Sequence, residues 1–102
     1  MSKNQTPPTL TEVLNTLRPL KAYLHEQWGI TKLGIFGSVA RGEATPESDI
    51  DILYEYQQPL GFALVDFGDF LEERLGRPVD LLSKKAVRAH IWAWIAPDVR
   101  DV

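Results

Sequence analysis

The sequence predicts an α/β (α+β) domain in which a small mixed β-sheet of three or more strands is packed with helices. Amphipathic helical stripes alternate along the chain with short apolar runs that are rich in β-forming residues. The order is helix, strand, short helix, strand, helix, strand, helix, which is typical of helices layered on a sheet. The length of 102 residues is the usual size of one domain.

Composition excludes several classes of protein. The chain has no cysteine, which rules out a disulfide scaffold, a thiolate metal site and a thiol nucleophile. The net charge of −3 argues against binding to a nucleic-acid backbone, so no direct nucleic-acid contact is expected. No apolar run approaches the ~20 residues of a membrane span, and the first residues do not resemble a signal peptide. We therefore expect a cytoplasmic location without membrane association.

The N-terminal part of the chain predicts a tail and an interrupted helix. Residues 1–9 are polar with two adjacent prolines and predict a flexible tail, which leaves residues 10–102 as a single domain. From Leu10 to Trp28 apolar residues recur every three or four positions, as on one face of a helix. Pro19 should kink or split this helix, and Gly29 should end it.

The remaining elements follow from alternation, helical periodicity and turn residues. Asp49 opens the clearest strand, while Gly76 and Pro78 close the second long helix. Ser83 is a candidate N-cap for the last helix. The predicted elements lie, in order, at residues 32–36 (strand), 37–41 (one helical turn), 49–56 (strand), 60–75 (helix), 79–82 (strand) and 83–95 (helix).

Three carboxylates occupy strand positions where acidic residues are unusual. Asp49 and Asp51 are two residues apart on one strand and therefore point to the same face, while Asp80 interrupts the next apolar strand. Adjacent carboxylates repel each other, and a bound divalent cation relieves this repulsion. Hard oxygen ligands in this arrangement suit Mg²⁺ held together with substrate phosphates. If the two strands are neighbours, all three residues form one metal site.

A second motif predicts a phosphate-binding turn. Gly37 and Ser38 lie between a strand and a helical turn, where backbone N–H groups and a hydroxyl can bind an anion. Arg41, one turn later, can add a charged contact. Ser48, just before Asp49, either contacts phosphate or caps its own loop. The spacing matches neither a Walker A loop nor a dinucleotide-binding fingerprint.

The combined motifs resemble a known family. The segments FGSVARGEATPESDIDILYE and GRPVDLLSKKAV are similar to the signatures of the DNA polymerase β-like nucleotidyltransferase superfamily. The closer resemblance is to its minimal nucleotidyltransferase (MNT) domains, including the MntA-type antitoxins of HEPN/MNT toxin–antitoxin pairs. The similarity extends from about residue 10 to about residue 90.

This resemblance implies the polymerase β-like nucleotidyltransferase fold and transfer of AMP from ATP to a hydroxyl, with two Mg²⁺ ions. Asp49, Asp51 and Asp80 would be the catalytic carboxylates and metal ligands, with Asp80 also helping to deprotonate the acceptor. Gly37 and Ser38 would hold the β- and γ-phosphates of the nucleotide.

The resemblance also implies a protein partner, a HEPN-family RNase toxin that offers a tyrosine hydroxyl and forms a hetero-oligomer with the chain. The short chain has no evident segment to enclose a second substrate, which agrees with a protein acceptor. Two alternatives stay open. A non-catalytic antitoxin would neutralise its toxin by stoichiometric binding, with Trp92 and Trp94 as anchors. An aminoglycoside-type nucleotidyltransferase shares the motifs, but such enzymes carry an additional helical domain.

Overall fold

The computed structural model describes residues 6–102. Residues 1–5 of the predicted tail lie outside the described residues. The helices are α1 (Leu10–Leu17), α2 (Lys21–Trp28), α3 (Gly37–Arg41), α4 (Ala63–Leu75) and α5 (Ala89–Ile95). The strands are β1 (Ile30–Phe36), β2 (Ile50–Tyr56), β3 (Val79–Ser83) and β4 (Arg100–Asp101).

The four strands form one mixed sheet in the order β3-β2-β1-β4. Strand β1 pairs antiparallel with both β2 and β4, while β2 and β3 run parallel. A parallel pair needs a crossover connection, and α4 provides it between β2 and β3. The predicted mixed sheet with packed helices is therefore confirmed, and β4 is a strand that the sequence pattern did not indicate.

The interruption of the first helix is confirmed. Pro19 lies in a 3₁₀ turn, Arg18–Leu20, which separates α1 from α2. Gly29 ends α2 in the left-handed conformation at φ +67°, as its position predicted. Within residues 6–102 the longest helix has 13 residues, and none there is long and apolar enough to cross a membrane.

Residues 6–9, which the sequence assigned to the tail, contact the domain. Pro8 is buried, and the Thr9 side chain accepts a hydrogen bond from the Glu12 backbone N–H. The Glu12 carboxylate in turn accepts one from the Thr9 N–H, which completes a capping box at the start of α1. The Thr6 carbonyl accepts a hydrogen bond from Arg77.

The two faces of the sheet differ in what they carry. One face, which we call the core face, carries the buried Ile35, Ile50 and Ile52 and packs against the helices. Phe67 of α4 is fully buried there. The opposite face, here called the site face, carries Asp51 because successive strand residues alternate. The acidic residue and the core residues therefore alternate along the same strand.

The last helix begins later than predicted. Ser83 belongs to β3, where it pairs with Tyr54, and its side chain makes no capping hydrogen bond. A 3₁₀ turn, Lys84–Ala86, follows, and α5 starts only at Ala89. Pairing with the neighbouring strand therefore extends β3 by one residue and prevents Ser83 from acting as an N-cap.

Candidate active site

The predicted neighbourhood of two carboxylates is confirmed by the sheet register. Asp51 of β2 and Asp80 of β3 are direct partners in the parallel pair. On its other side Asp51 is paired with Phe36, the last residue of β1. Asp51 therefore sits in the middle of the sheet with its backbone held on both sides, while Asp80 is exposed at the outer strand.

Asp49 lies just ahead of the paired part of β2. The ladder with β3 begins at Ile50, whose N–H donates to the carbonyl of Pro78 over 3.1 Å. The Asp49 side chain is exposed, and its charge acts on Asp51. The structure therefore brings Asp51 and Asp80 into direct contact range and adds Asp49 as a neighbouring charge.

Asp51 has an unusual environment for a carboxyl group. Burial raises the pKa of Asp51 to about 6, and the neighbouring charges of Asp80 and Asp49 act in the same direction. A hydrogen bond with Asp80 adds to this effect, and Arg41 opposes it. Both ion pairs within residues 6–102 use Arg41, so no described cation forms an ion pair with Asp51.

Gly37 is required by the geometry of Asp51. Its φ of +71° lies in the left-handed region that favours glycine. A Cβ atom added there would stand only 2.0 Å from Asp51 Oδ2. The absence of a side chain at Gly37 therefore lets the Asp51 carboxylate lie against the backbone where the first turn of α3 starts.

The two predicted serines have different surroundings. Ser38 lies in the first turn of α3 next to Gly37, and its carbonyl accepts the N–H of Glu43 over 2.8 Å. Ser48 closes its own loop, because its hydroxyl accepts the Thr45 N–H over 2.8 Å. The loop-capping role of Ser48 is thus observed, and a phosphate contact by Ser38 or Ser48 stays a prediction.

Arg41 is held by two carboxylates near the site. Its guanidinium lies 3.0 Å from Glu43 and 3.1 Å from Asp98, and both hydrogen bonds raise its pKa. Asp98 was not predicted, because the 57 residues that separate it from Arg41 carry no motif that links them. Beside this ion pair an apolar cleft of about 600 Å³ opens next to Gly37 and α5. A phosphate contact by Arg41 stays a prediction.

The donor set fits a hard divalent cation. Within residues 6–102 no three acidic or histidine side chains already form a closed metal cluster. The site nevertheless offers carboxylate oxygens from Asp51 and Asp80, whose mutual repulsion a cation would relieve. Gly37, which has no Cβ, lets Asp51 Oδ2 lie against the backbone at the start of α3. Asp49 adds a third carboxylate nearby.

Comparison with known proteins identifies the family of the chain. Residues 17–101 match the family model described as "Nucleotidyltransferase domain". The protein adenylyltransferase MntA of Thermococcus cleftensis is 37% identical over 84 residues, a region that covers 81% of this chain and 85% of the relative. The chain therefore belongs to the nucleotidyltransferase domain family and is an enzyme of this class.

Solved structures share the fold. A chain described as a minimal nucleotidyltransferase superimposes with a TM-score of 0.74 at 27% identity, over 89% of this chain and 94% of the other. A second match is a chain from the complex of a tri-AMPylated HEPN toxin from Shewanella oneidensis with an MNT antitoxin. It superimposes with a TM-score of 0.60 over 86% of this chain and 68% of the matched chain. At 19% identity the second likeness shows the fold alone.

Proposed function

We propose that this member of the nucleotidyltransferase family is an antitoxin that transfers AMP from ATP to a hydroxyl group of a partner HEPN-class RNase. The acceptor hydroxyl is that of a tyrosine, and the reaction depends on Mg²⁺. The observation that carries the proposal is the Asp51–Asp80 pair, set beside Gly37, which has no Cβ and so lets Asp51 Oδ2 lie against the start of α3.

The relatives support two parts of this proposal, the transfer of AMP to a protein and the HEPN partner. The Thermococcus cleftensis relative is named a protein adenylyltransferase, which indicates AMP as the group transferred and a protein as the acceptor. The Shewanella oneidensis complex contains a HEPN toxin that carries AMP together with an MNT antitoxin. Both names describe other proteins, and we extend them to this chain because it shares the family of the first and the fold of the second.

We assign the metal to the three carboxylates. Asp49, Asp51 and Asp80 would supply its oxygen ligands, and Asp51 must lose its proton to do so. When bound, Mg²⁺ supplies charge neutralisation for the triphosphate and for the attacking oxygen.

The chain's own groups bind the nucleotide and move the proton. The backbone N–H groups of Gly37 and Ser38 bind the β- and γ-phosphates at the start of α3. The acceptor oxygen bonds to the α-phosphorus, the bond to the bridging oxygen of the β-phosphate breaks, and pyrophosphate leaves. Asp80, exposed at the outer strand, accepts the proton of the acceptor hydroxyl.

Labelled nucleotides test the reaction type. The chain is incubated with Mg²⁺, its HEPN partner and ATP that carries ³²P on either the α- or the γ-phosphate. We expect the partner to acquire label from α-labelled ATP only, since nucleotidyl transfer retains the α-phosphate. Label from γ-labelled ATP would indicate phosphoryl transfer, and no label from either would refute the proposal.

A second function, neutralisation by stoichiometric binding, is favoured by one observation. Trp94 is 82% exposed and Ile91 39% exposed on α5, an apolar surface available for a partner, whereas Trp92 is half-buried under Lys84. Cells that express the toxin distinguish the two functions. A variant with Asp49→Ala and Asp51→Ala should lose protection if transfer is needed, and should keep full protection if binding suffices.

A further inference from the structure

Arg77 forms hydrogen bonds that have no role in the reaction proposed above. It lies between the end of α4 and the start of β3, three residues before Asp80. Its guanidinium donates to the carbonyl of Pro46 over 2.8 Å and to the carbonyl of Thr6. Both ion pairs within residues 6–102 belong to Arg41, so Arg77 holds backbone carbonyls instead of a carboxylate.

Pro46 belongs to the loop that leads to Asp49. This loop contains a turn in which the Ser48 N–H donates to the Thr45 carbonyl over 3.0 Å. Downstream, the Ile50 N–H donates to the Pro78 carbonyl over 3.1 Å. The loop is therefore attached to consecutive residues 77 and 78 at two points, one on each side of Asp49.

The three candidate ligands differ in how they are held. Asp51 and Asp80 are fixed by strand pairing, whereas Asp49 precedes the ladder and has an exposed side chain. On its N-terminal side the Asp49 backbone depends on the loop that Arg77 holds at Pro46. Loss of this hydrogen bond would release the upstream attachment of Asp49 and leave the strand ligands in place.

From this geometry we infer that Arg77 is a positioning residue for Asp49, which organises the loop for binding a divalent cation. The inference rests on the proposed metal site, but it makes a separate prediction for the metal-free protein. Some residues orient a metal ligand without touching the metal themselves. Their removal commonly weakens metal binding by about 10–100-fold. Arg77 would act through Asp49 without touching the metal or the nucleotide.

The test compares Arg77→Ala with two further variants. Arg77→Lys retains one donor for a carbonyl, and Arg18→Ala removes an exposed arginine that donates to the distant Asp101 carbonyl over 3.4 Å. Binding of Mn²⁺ is measured by its electron paramagnetic resonance signal with the non-hydrolysable analogue AMP-PNP present. Hydrogen exchange of the Ser48 and Ile50 amides is measured without metal, with the Ile52 amide as an internal standard.

We expect Arg77→Ala to weaken Mn²⁺ binding about tenfold or more and to speed exchange at Ser48 and Ile50 by about fivefold to tenfold relative to Ile52. Arg77→Lys should recover part of both effects, and Arg18→Ala should change neither. Unchanged Mn²⁺ affinity with unchanged exchange in both Arg77 variants would overturn the inference. If Arg77→Ala fails to fold, the same two readouts in Arg77→Lys decide. Mn²⁺ binding without AMP transfer by the wild type would contradict the proposed reaction and leave the role of Arg77 intact.

Discussion

Along strand β2, neighbouring residues have opposite surroundings. Ile50 and Ile52 are 1% and 0% exposed in the core, while Asp51 between them faces Asp80 on the other side of the sheet. The isoleucines stabilise the fold by leaving water, at about 1.5–3 kcal/mol for each side chain. Asp51 opposes folding when ionised, because burial and two neighbouring carboxylates disfavour its charge. One strand thus carries residues that stabilise the fold on one face and, on the other, the destabilising carboxyl group that we propose as a metal ligand.

The largest expected effect is on activity. Asp51→Asn keeps the shape of the side chain and removes the charge that a metal ligand needs. We expect AMP transfer to fall by about a thousandfold or more, since several kcal/mol of transition-state stabilisation are lost. Transfer is measured by label incorporation from α-labelled ATP, and circular dichroism confirms that the variant is folded. Activity within tenfold of the wild type would remove Asp51 from the site.

The next effect is on stability, from the core face of the same strand. Ile52→Ala removes a fully buried side chain and should lower the free energy of unfolding by about 2–5 kcal/mol. Urea unfolding monitored by tryptophan fluorescence measures this loss. Because Ile52 faces away from Asp51, the folded fraction should keep its rate of AMP transfer. A large fall in that rate would contradict the separation of the two faces.

A pair of glycines tests the close approach of the Asp51 carboxylate to Gly37. Gly37 and Gly42 have similar φ values, +71° and +74°, so alanine strains the backbone equally at both. Only at Gly37 does the new Cβ meet Asp51 Oδ2, since nothing lies within 4 Å of it at Gly42. We expect each substitution to cost about 1 kcal/mol of stability, with a further loss and weaker AMP-PNP binding at Gly37 alone. Equal effects of the two variants on AMP-PNP binding would contradict a role for the close approach of Asp51 to Gly37.

The smallest effect is on the pH dependence of stability without metal. The pKa of Asp51, about 6, is raised above its ordinary value of 3.8, so the folded state holds this proton more tightly than the unfolded state. The contribution of Asp51 to stability is therefore present below about pH 4 and is lost as pH rises through about 6. Urea unfolding between pH 4 and 7 should show that the free energy of unfolding falls as pH rises, and that it falls less steeply in Asp51→Asn.

Saturating Mg²⁺ with AMP-PNP should stabilise the wild type most at the upper end of this pH range, because metal ligation needs the ionised carboxylate. If the stability of Asp51→Asn without metal depended on pH as steeply as that of the wild type, Asp51 would not be the cause of the pH dependence.

Much of the fold, and the positions of the candidate site residues, could be predicted, because they depend on local patterns. The alternation of apolar and acidic residues in β2 predicts that Asp51 and its neighbours Ile50 and Ile52 lie on opposite faces of the sheet. The pairing of β2 with β3 then places Asp80 beside Asp51. Two features depend on contacts between distant residues and could not be predicted. Strand β4 has only two residues and forms by pairing with the edge of β1. Arg77 resembles any solvated arginine in sequence, although its guanidinium reaches Pro46, 31 residues away.

The most direct test of the proposed antitoxin function is whether the partner gains AMP. The measurement is the intact mass of a HEPN partner after incubation with this chain, Mg²⁺ and ATP, beside the same incubation with Asp51→Asn. We expect the partner to gain one or more adenylate masses with the wild type, and none with the variant or without Mg²⁺. An unmodified partner, or an equal gain with Asp51→Asn, would contradict the account.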